Sequence, residues 1–350
     1  MRANWVVFEL GSKVKPCWID RVHVAPLFVW LCRYESHGNE VTNRVASAAF
    51  ALPHSAAVTQ HHERAMLLMI AATLLLPSID AIAKYLSASI GAGQVTWSRF
   101  LFQSLFMLPL AWRVWGRSPS PNLLVNALRG VLLAGATLLF FAALKYLPIA
   151  DAISIFFVEP LLLTLLSALL LGEQVGWRRV SAVLVGLGGA VLVIQPNFAN
   201  AGTPALYPLG AATCFAFYLV LTRKFAQREA PELMQFLAGL AGLAVMSLAL
   251  AVGTQIDVPA LNVATPTHAQ WGWLTLLGFI ATIGHLLMVA AFARANASLL
   301  APFQYVELVS ATILGFVVFG DFPEPATWMG VAVIVGSGLY VFHRERVLKQ

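Results

Sequence analysis

The sequence predicts an all-α membrane protein: ten transmembrane helices arranged as two inverted repeats of five helices each. Three observations predict it. First, 59% of the 350 residues are hydrophobic and only 11% are charged, with a mean hydropathy of +0.77, whereas soluble domains carry about 25% charged residues. Second, from Met66 onward the chain divides into ten apolar runs separated by turn and charge signals. Third, Ala143 to Ile194 can be laid on Ala291 to Phe342 without a gap, at an offset of 148 positions (291 minus 143).

The runs fall at 66–88, 94–113, 123–144, 149–171, 177–194, 205–223, 232–253, 271–293, 298–319 and 326–343. An apolar helix of about 20 residues crosses the roughly 30 Å hydrocarbon layer. Backbone groups in lipid must be satisfied within the segment, and these runs are too long and too continuously apolar for the alternating strands of a barrel. The fifth and sixth are short, and the stretch Gln195 to Pro204 between them reads as the junction of two halves, 66–197 and 198–350.

Within the repeat, Val158-Glu159 falls on Val306-Glu307, Thr164 on Thr312, Leu166 on Leu314, Gly172-Glu173 on Gly320-Asp321, Val185 on Val333 and Gly188 on Gly336. Five helices is an odd number, so the second copy enters the membrane from the opposite side. Repeats related in that way supply two nearly equivalent conformations, one open to each face, around a site at mid-depth.

Charge is distributed unevenly. Taking loops alternately, Arg64, Arg113, Arg117, Arg178, Arg179, Arg223, Lys224, Arg228, Arg294, Arg344, Arg346 and Lys349 share one side, against Lys145, Asp257, Asp321 and Glu324 on the other. The positive-inside rule therefore places both ends of the bundle in the cytoplasm. The net charge of +6 reports orientation, and no zinc-finger spacing or RNA-binding aromatic motif supports nucleic-acid binding. Three cysteines, Cys17, Cys32 and Cys214, one of them within a span, argue against a disulfide framework.

Residues 1–65 differ in character. Their longest apolar stretch, Val22 to Cys32, is too short to span and holds His23 and Pro26; no cleavable signal is apparent. They are expected to form a disordered extension, with Met66 a candidate natural start and a cytoplasmic regulatory arm the alternative.

Glu159 lies ten positions after Ile149 and Glu307 nine after Ser298, so at about 1.5 Å of rise per residue both carboxyls come near mid-depth. An acid there costs several kcal/mol when charged, so each should face the bundle interior, carry a proton, or be paired. Such groups are natural proton carriers; the plainer reading is a protonated acid bonding neighbouring helices. Pro160 removes a helix hydrogen bond beside Glu159, while the second copy has Leu308 there and Pro302 earlier.

Other polar groups in the spans are candidates for a substrate pocket. Asp80 and Lys84 are four apart and can pair on one face. Arg99 can snorkel to the interface or partner Asp80 or an anionic substrate group. Arg129 reads as a positive-inside anchor. His285 can relay protons or bind substrate, although a lone histidine is more often a packing element. Trp97, Phe156, Phe157, Phe303 and Tyr305 can line a pocket or pack helices. Gly186 to Gly189 and Gly336 to Gly338 mark close helix seams rather than a nucleotide loop. No P-loop, clustered metal ligands or Ser-His-Asp arrangement is visible, so no cofactor is expected and energy should come from a gradient.

These residues resemble the EamA-type transporters of the drug/metabolite transporter superfamily. The resemblance rests on the two five-helix copies, on Val158-Glu159-Pro160 followed by Leu171-Gly172-Glu173 and a glycine-rich fifth helix, and on the degraded second copy Val306-Glu307-Leu308 and Gly320-Asp321. It covers roughly Met66 to Arg346. It implies an inner-membrane carrier of small metabolites such as amino acids, vitamins or nucleoside-like compounds, with a central cavity between the repeats. Pro77-Ser-Ile-Asp80-Ala-Ile-Ala-Lys84-Tyr-Leu is similar to the first helix of a subset that includes proposed riboflavin and S-adenosylmethionine carriers. A homodimer is a further expectation. The alternatives are an intramembrane enzyme or a lipid flippase acting on a lipid-linked substrate.

Overall fold

The computed structural model describes residues 54–348, apart from short segments at 117–120, 172–176, 226–228, 293, 295–299 and 301–302. The expected extension lies outside the described residues up to position 53. The first helix then starts at His54, ahead of Met66. Among the described residues the regular structure is entirely helical. The helices are α1 (His54–Leu75), α2 (Pro77–Leu86), α3 (Ala92–Val114), α4 (Leu123–Leu144), α5 (Ile149–Phe156), α6 (Glu159–Leu171), α7 (Trp177–Ala201), α8 (Tyr207–Phe225), α9 (Pro231–Gly253), α10 (His268–Phe292), α11 (Val306–Leu314) and α12 (Pro325–Leu348). Each apolar run of the sequence therefore contains helix.

Six helical stretches are long and apolar enough to cross a membrane among the described residues, the first being Glu63–Leu86, which joins α1 and α2. Shorter apolar helices cover Val306–Phe319 and Pro325–Tyr340. The chain is thus a multi-pass membrane protein. Its surface agrees: Leu124, Trp177 and Val317 are at least 73% exposed, as side chains facing lipid are.

Two breaks interrupt the apolar runs for identifiable reasons. Leu76 separates α1 from α2, and Pro77 has no N–H to continue the ladder. Phe157 and Val158 separate α5 from α6; Pro160 follows at once, and Val158 O instead accepts from the amides of Leu161 and Leu162 at 3.1 and 3.0 Å. Tyr305, at the corresponding place 148 positions on, is a turn before α11. Several hydroxyls inside the helices are satisfied locally: Thr73, Thr96, Ser154, Thr213 and Thr282 each donate to the carbonyl four residues back.

The glycine-rich stretches do form seams. A Cβ at Gly189 would stand 2.9 Å from Val333 and 3.0 Å from the carbonyl of Gly330, so α7 and α12 cross with their backbones in near contact. Gly130 of α4 lies against the backbone of α9 at Ala238 and Gly242. The main apolar cluster runs from Met69 through Ile79, Phe141, Ile153 and Leu277 to Ile334, with smaller ones around Phe100 and Met107.

Candidate functional site

The helix breaks determine where the acids stand. Asp80, Glu159 and Glu307 each occupy the first turn of a helix that begins after a break, in α2, α6 and α11, where backbone amides lack helical acceptors. All three line one cavity of about 110 Å³, together with Arg99 and His285. Phe157 contributes to its wall, as do Phe140, Phe156 and Phe215. The cavity thus gathers five of the polar candidates from α2, α3, α6, α10 and α11.

Arg99 is 6% exposed, so the expected snorkelling does not occur and its guanidinium is held inside. Its Nη1 donates to Thr137 Oγ1, its Nη2 lies 3.1 Å from His285 Nε2, and it sits over the ring of Phe100. A guanidinium can only donate, so His285 Nε2 is the acceptor and the ring is neutral. Its Nδ1–H then donates to Ala281 O at 3.0 Å. Asp80, a partner anticipated for it, lines the same cavity, but no ion pair joins the two among the described residues. Glu159 is only 3% exposed and its Oε1 has no hydrogen-bond partner among the described residues.

Three pocket candidates lie elsewhere. Lys84 does not pair with Asp80: its Nζ meets Asp321 Oδ2 at 2.5 Å and donates to Leu147 O at 3.0 Å. The four-residue spacing puts Asp80 one turn deeper, in the cavity, while the longer lysine reaches the bundle end. There Gly320, in the left-handed conformation (φ 73°), turns the chain so that Asp321 faces it. Trp97 donates to Ser247 Oγ at 2.8 Å on the outer side of α9. Tyr305 stands behind the cavity wall, its ring packed on Phe157.

Arg129 is a network centre rather than an exposed anchor. At 1% exposure it donates to Thr222 Oγ1, Asn126 Oδ1, Met234 O and Tyr218 Oη. Glu229 joins the cluster through the side chain of Asn126, at 2.7 Å.

Sequence reading missed Thr137 and Gln304, which also line the cavity. Their signal was present but faint: each is a polar residue inside an apolar run, and Gln304 adjoins Tyr305.

The profile of the EamA-like transporter family matches this chain twice, at residues 63–195 and 203–342. Among curated proteins, the chain is 28% identical to the S-adenosylmethionine uptake transporter of Rickettsia bellii, over 76% of this chain and 89% of that one. It is 27% identical to the riboflavin transporter of Vibrio cholerae, over 82% and 96%. To the pseudopaline exporter of Pseudomonas aeruginosa it is 25% identical, over 77% and 93%. A solved crystal structure at 24% identity covers 83% of this chain and all of its own, with a TM-score of 0.57, which shows a shared fold.

Proposed function

Because the chain belongs to the EamA-like transporter family, we propose that it is a secondary active transporter moving a small polar metabolite by alternating access, coupled to protons through Glu159 or Glu307. Membership of a transporter family sets aside the enzyme reading. The observation that carries the proposal is the convergence of Asp80, Glu159, Glu307, Arg99 and His285 on one cavity inside an otherwise apolar bundle. Ionisable groups at membrane depth are costly and are retained where a solute or proton passes.

The ten-span, inverted-repeat arrangement is part of this reading. It is supported by the double family match and by the equivalent breaks at Phe157 and Tyr305, whose rings meet. An inner-membrane location is part of this reading through the family resemblance, and the one-sided arginines and lysines support cytoplasmic ends of the bundle. Solutes of the class carried by the relatives, such as S-adenosylmethionine and riboflavin, are the first to try.

Proteoliposomes test the proposal. A metabolite taken up by wild type should respond to an imposed pH gradient, and Glu159→Gln or Glu307→Gln should abolish that response. Gradient-driven flux unchanged in both variants removes the glutamates from the coupling.

A further inference from the structure

We propose that Lys84 and Asp321 form a gate between the central cavity and a second, larger cavity at one end of the bundle, a proposal that rests on the alternating-access reading above and names one of its moving parts. The end cavity, of about 620 Å³, is polar: Lys145, Tyr146, Asp151, Asn197, Asp321 and Glu324 line it. No described residue lines both cavities.

Two helices run from one to the other. On α5, Asp151 lines the end cavity and Ile153 the central one, a rise of about 3 Å. On α2, Asp80 lines the central cavity, and Lys84, one turn on, reaches Asp321 at the wall of the end cavity. The layer between the cavities is therefore on the order of one helical turn thick, and Lys84 lies in it.

Both halves of the chain build that layer. The ammonium of Lys84 meets Asp321 Oδ2 at 2.5 Å and donates to Leu147 O at 3.0 Å, with the Phe319 ring centroid 5.2 Å away. One side chain thus ties α2 and the α4–α5 turn, in the first copy, to the turn before α12 in the second. Thr327 Oγ1 of α12 also donates to Asp151 Oδ1 at 2.9 Å, and both of those residues are buried. The Lys84 pair is instead 17% and 29% exposed, so water can solvate both charges once they part, and such pairs separate easily. A contact that joins the two repeats, stands between two cavities and is weak enough to break is what an opening step needs. Removing it should shift the protein toward the conformation in which this layer is parted.

A cysteine at Ala136, a small buried residue of the central cavity, reports the state of the layer without any solute. In a background with Cys17, Cys32 and Cys214 replaced by serine, Ala136→Cys is offered a small charged methanethiosulfonate reagent in sealed vesicles of each orientation. Asp321→Asn and Lys84→Met should each raise labelling about threefold from the face on which the end cavity opens, the shift expected when one partly exposed ion pair is lost. Labelling from the other face should not rise, and the double variant should label no faster than either single one. Unchanged labelling in both single variants, or an equal rise from both faces, which marks a loosened bundle, overturns the gate. Absence of flux for every solute of a whole-cell metabolite extract in wild-type proteoliposomes leaves the labelling result standing and overturns the transport reading instead.

Discussion

The ring of Phe157 meets the ring of Tyr305 edge to face, centroids 5.3 Å apart and planes at 70°. The two residues occupy the same place in the two copies, 148 positions apart, and each is the turn at which a membrane helix restarts with a glutamate in its first turn. This contact places the two helix breaks side by side at the cavity wall.

Gly338 is predicted to be intolerant of any side chain for the same reason. The hydroxyl of Tyr305 occupies the space a Cβ at 338 would need. Gly338→Ala should push Tyr305 off Phe157 and cost about 1–3 kcal/mol of stability, read as a lower midpoint of thermal unfolding in detergent. Gly336→Ala, with open space around it, should leave the midpoint near wild type.

Lys84 and Asp321 should prove coupled. The pair is partly exposed, at 17% and 29%, so its worth is modest. A double-mutant cycle with Lys84→Met and Asp321→Asn should give a coupling of about 0.5–1 kcal/mol. The same cycle between Lys84 and Asp80 should give none, which checks the partner assignment.

Arg129→Ala should be the most damaging single truncation outside the cavity. It strips donors from Thr222, Asn126, Tyr218 and the Met234 carbonyl, leaving buried acceptors unsatisfied at a cost of about 1–3 kcal/mol. Arg129→Lys should not restore stability, since an ammonium cannot reach the same partners in one plane. Yield of folded protein extracted from membranes measures both.

The helix seam between α7 and α12 should tolerate size poorly. A Cβ at Gly330 would press on Val193 and the carbonyl of Gly189, so Gly330→Leu should lower thermal stability, whereas Gly188→Leu, with no neighbour within 4 Å, should be accepted in lipid.

Much of this arrangement was legible from residue order alone. The helices follow from apolar run length, the interruption beside Glu159 from Pro160, and the paired glutamates from the repeat, whereas the break at Leu76 within the run 66–88 was not anticipated. Arg99 and Asp80 as pocket candidates followed from the rarity of charge in apolar runs, and both line the cavity. What was hidden depended on distant contacts: Lys84 is 237 positions from Asp321 in the chain, and local spacing favoured Asp80 in its place. Arg129 looked like an anchor because its helix starts nearby, whereas three of its four partners, Thr222, Tyr218 and Met234, come from α8 and α9.

Accessibility labelling at Glu159 tests the central claim most directly. In a background with Cys17, Cys32 and Cys214 replaced by serine, Glu159→Cys would be exposed to a small hydrophilic thiol reagent from either face of sealed vesicles. The account predicts modification from both faces, slowed by transported solute. Modification from neither face, with reaction only toward a lipid-soluble reagent, would contradict a carboxyl that lines a shared, alternately opened path.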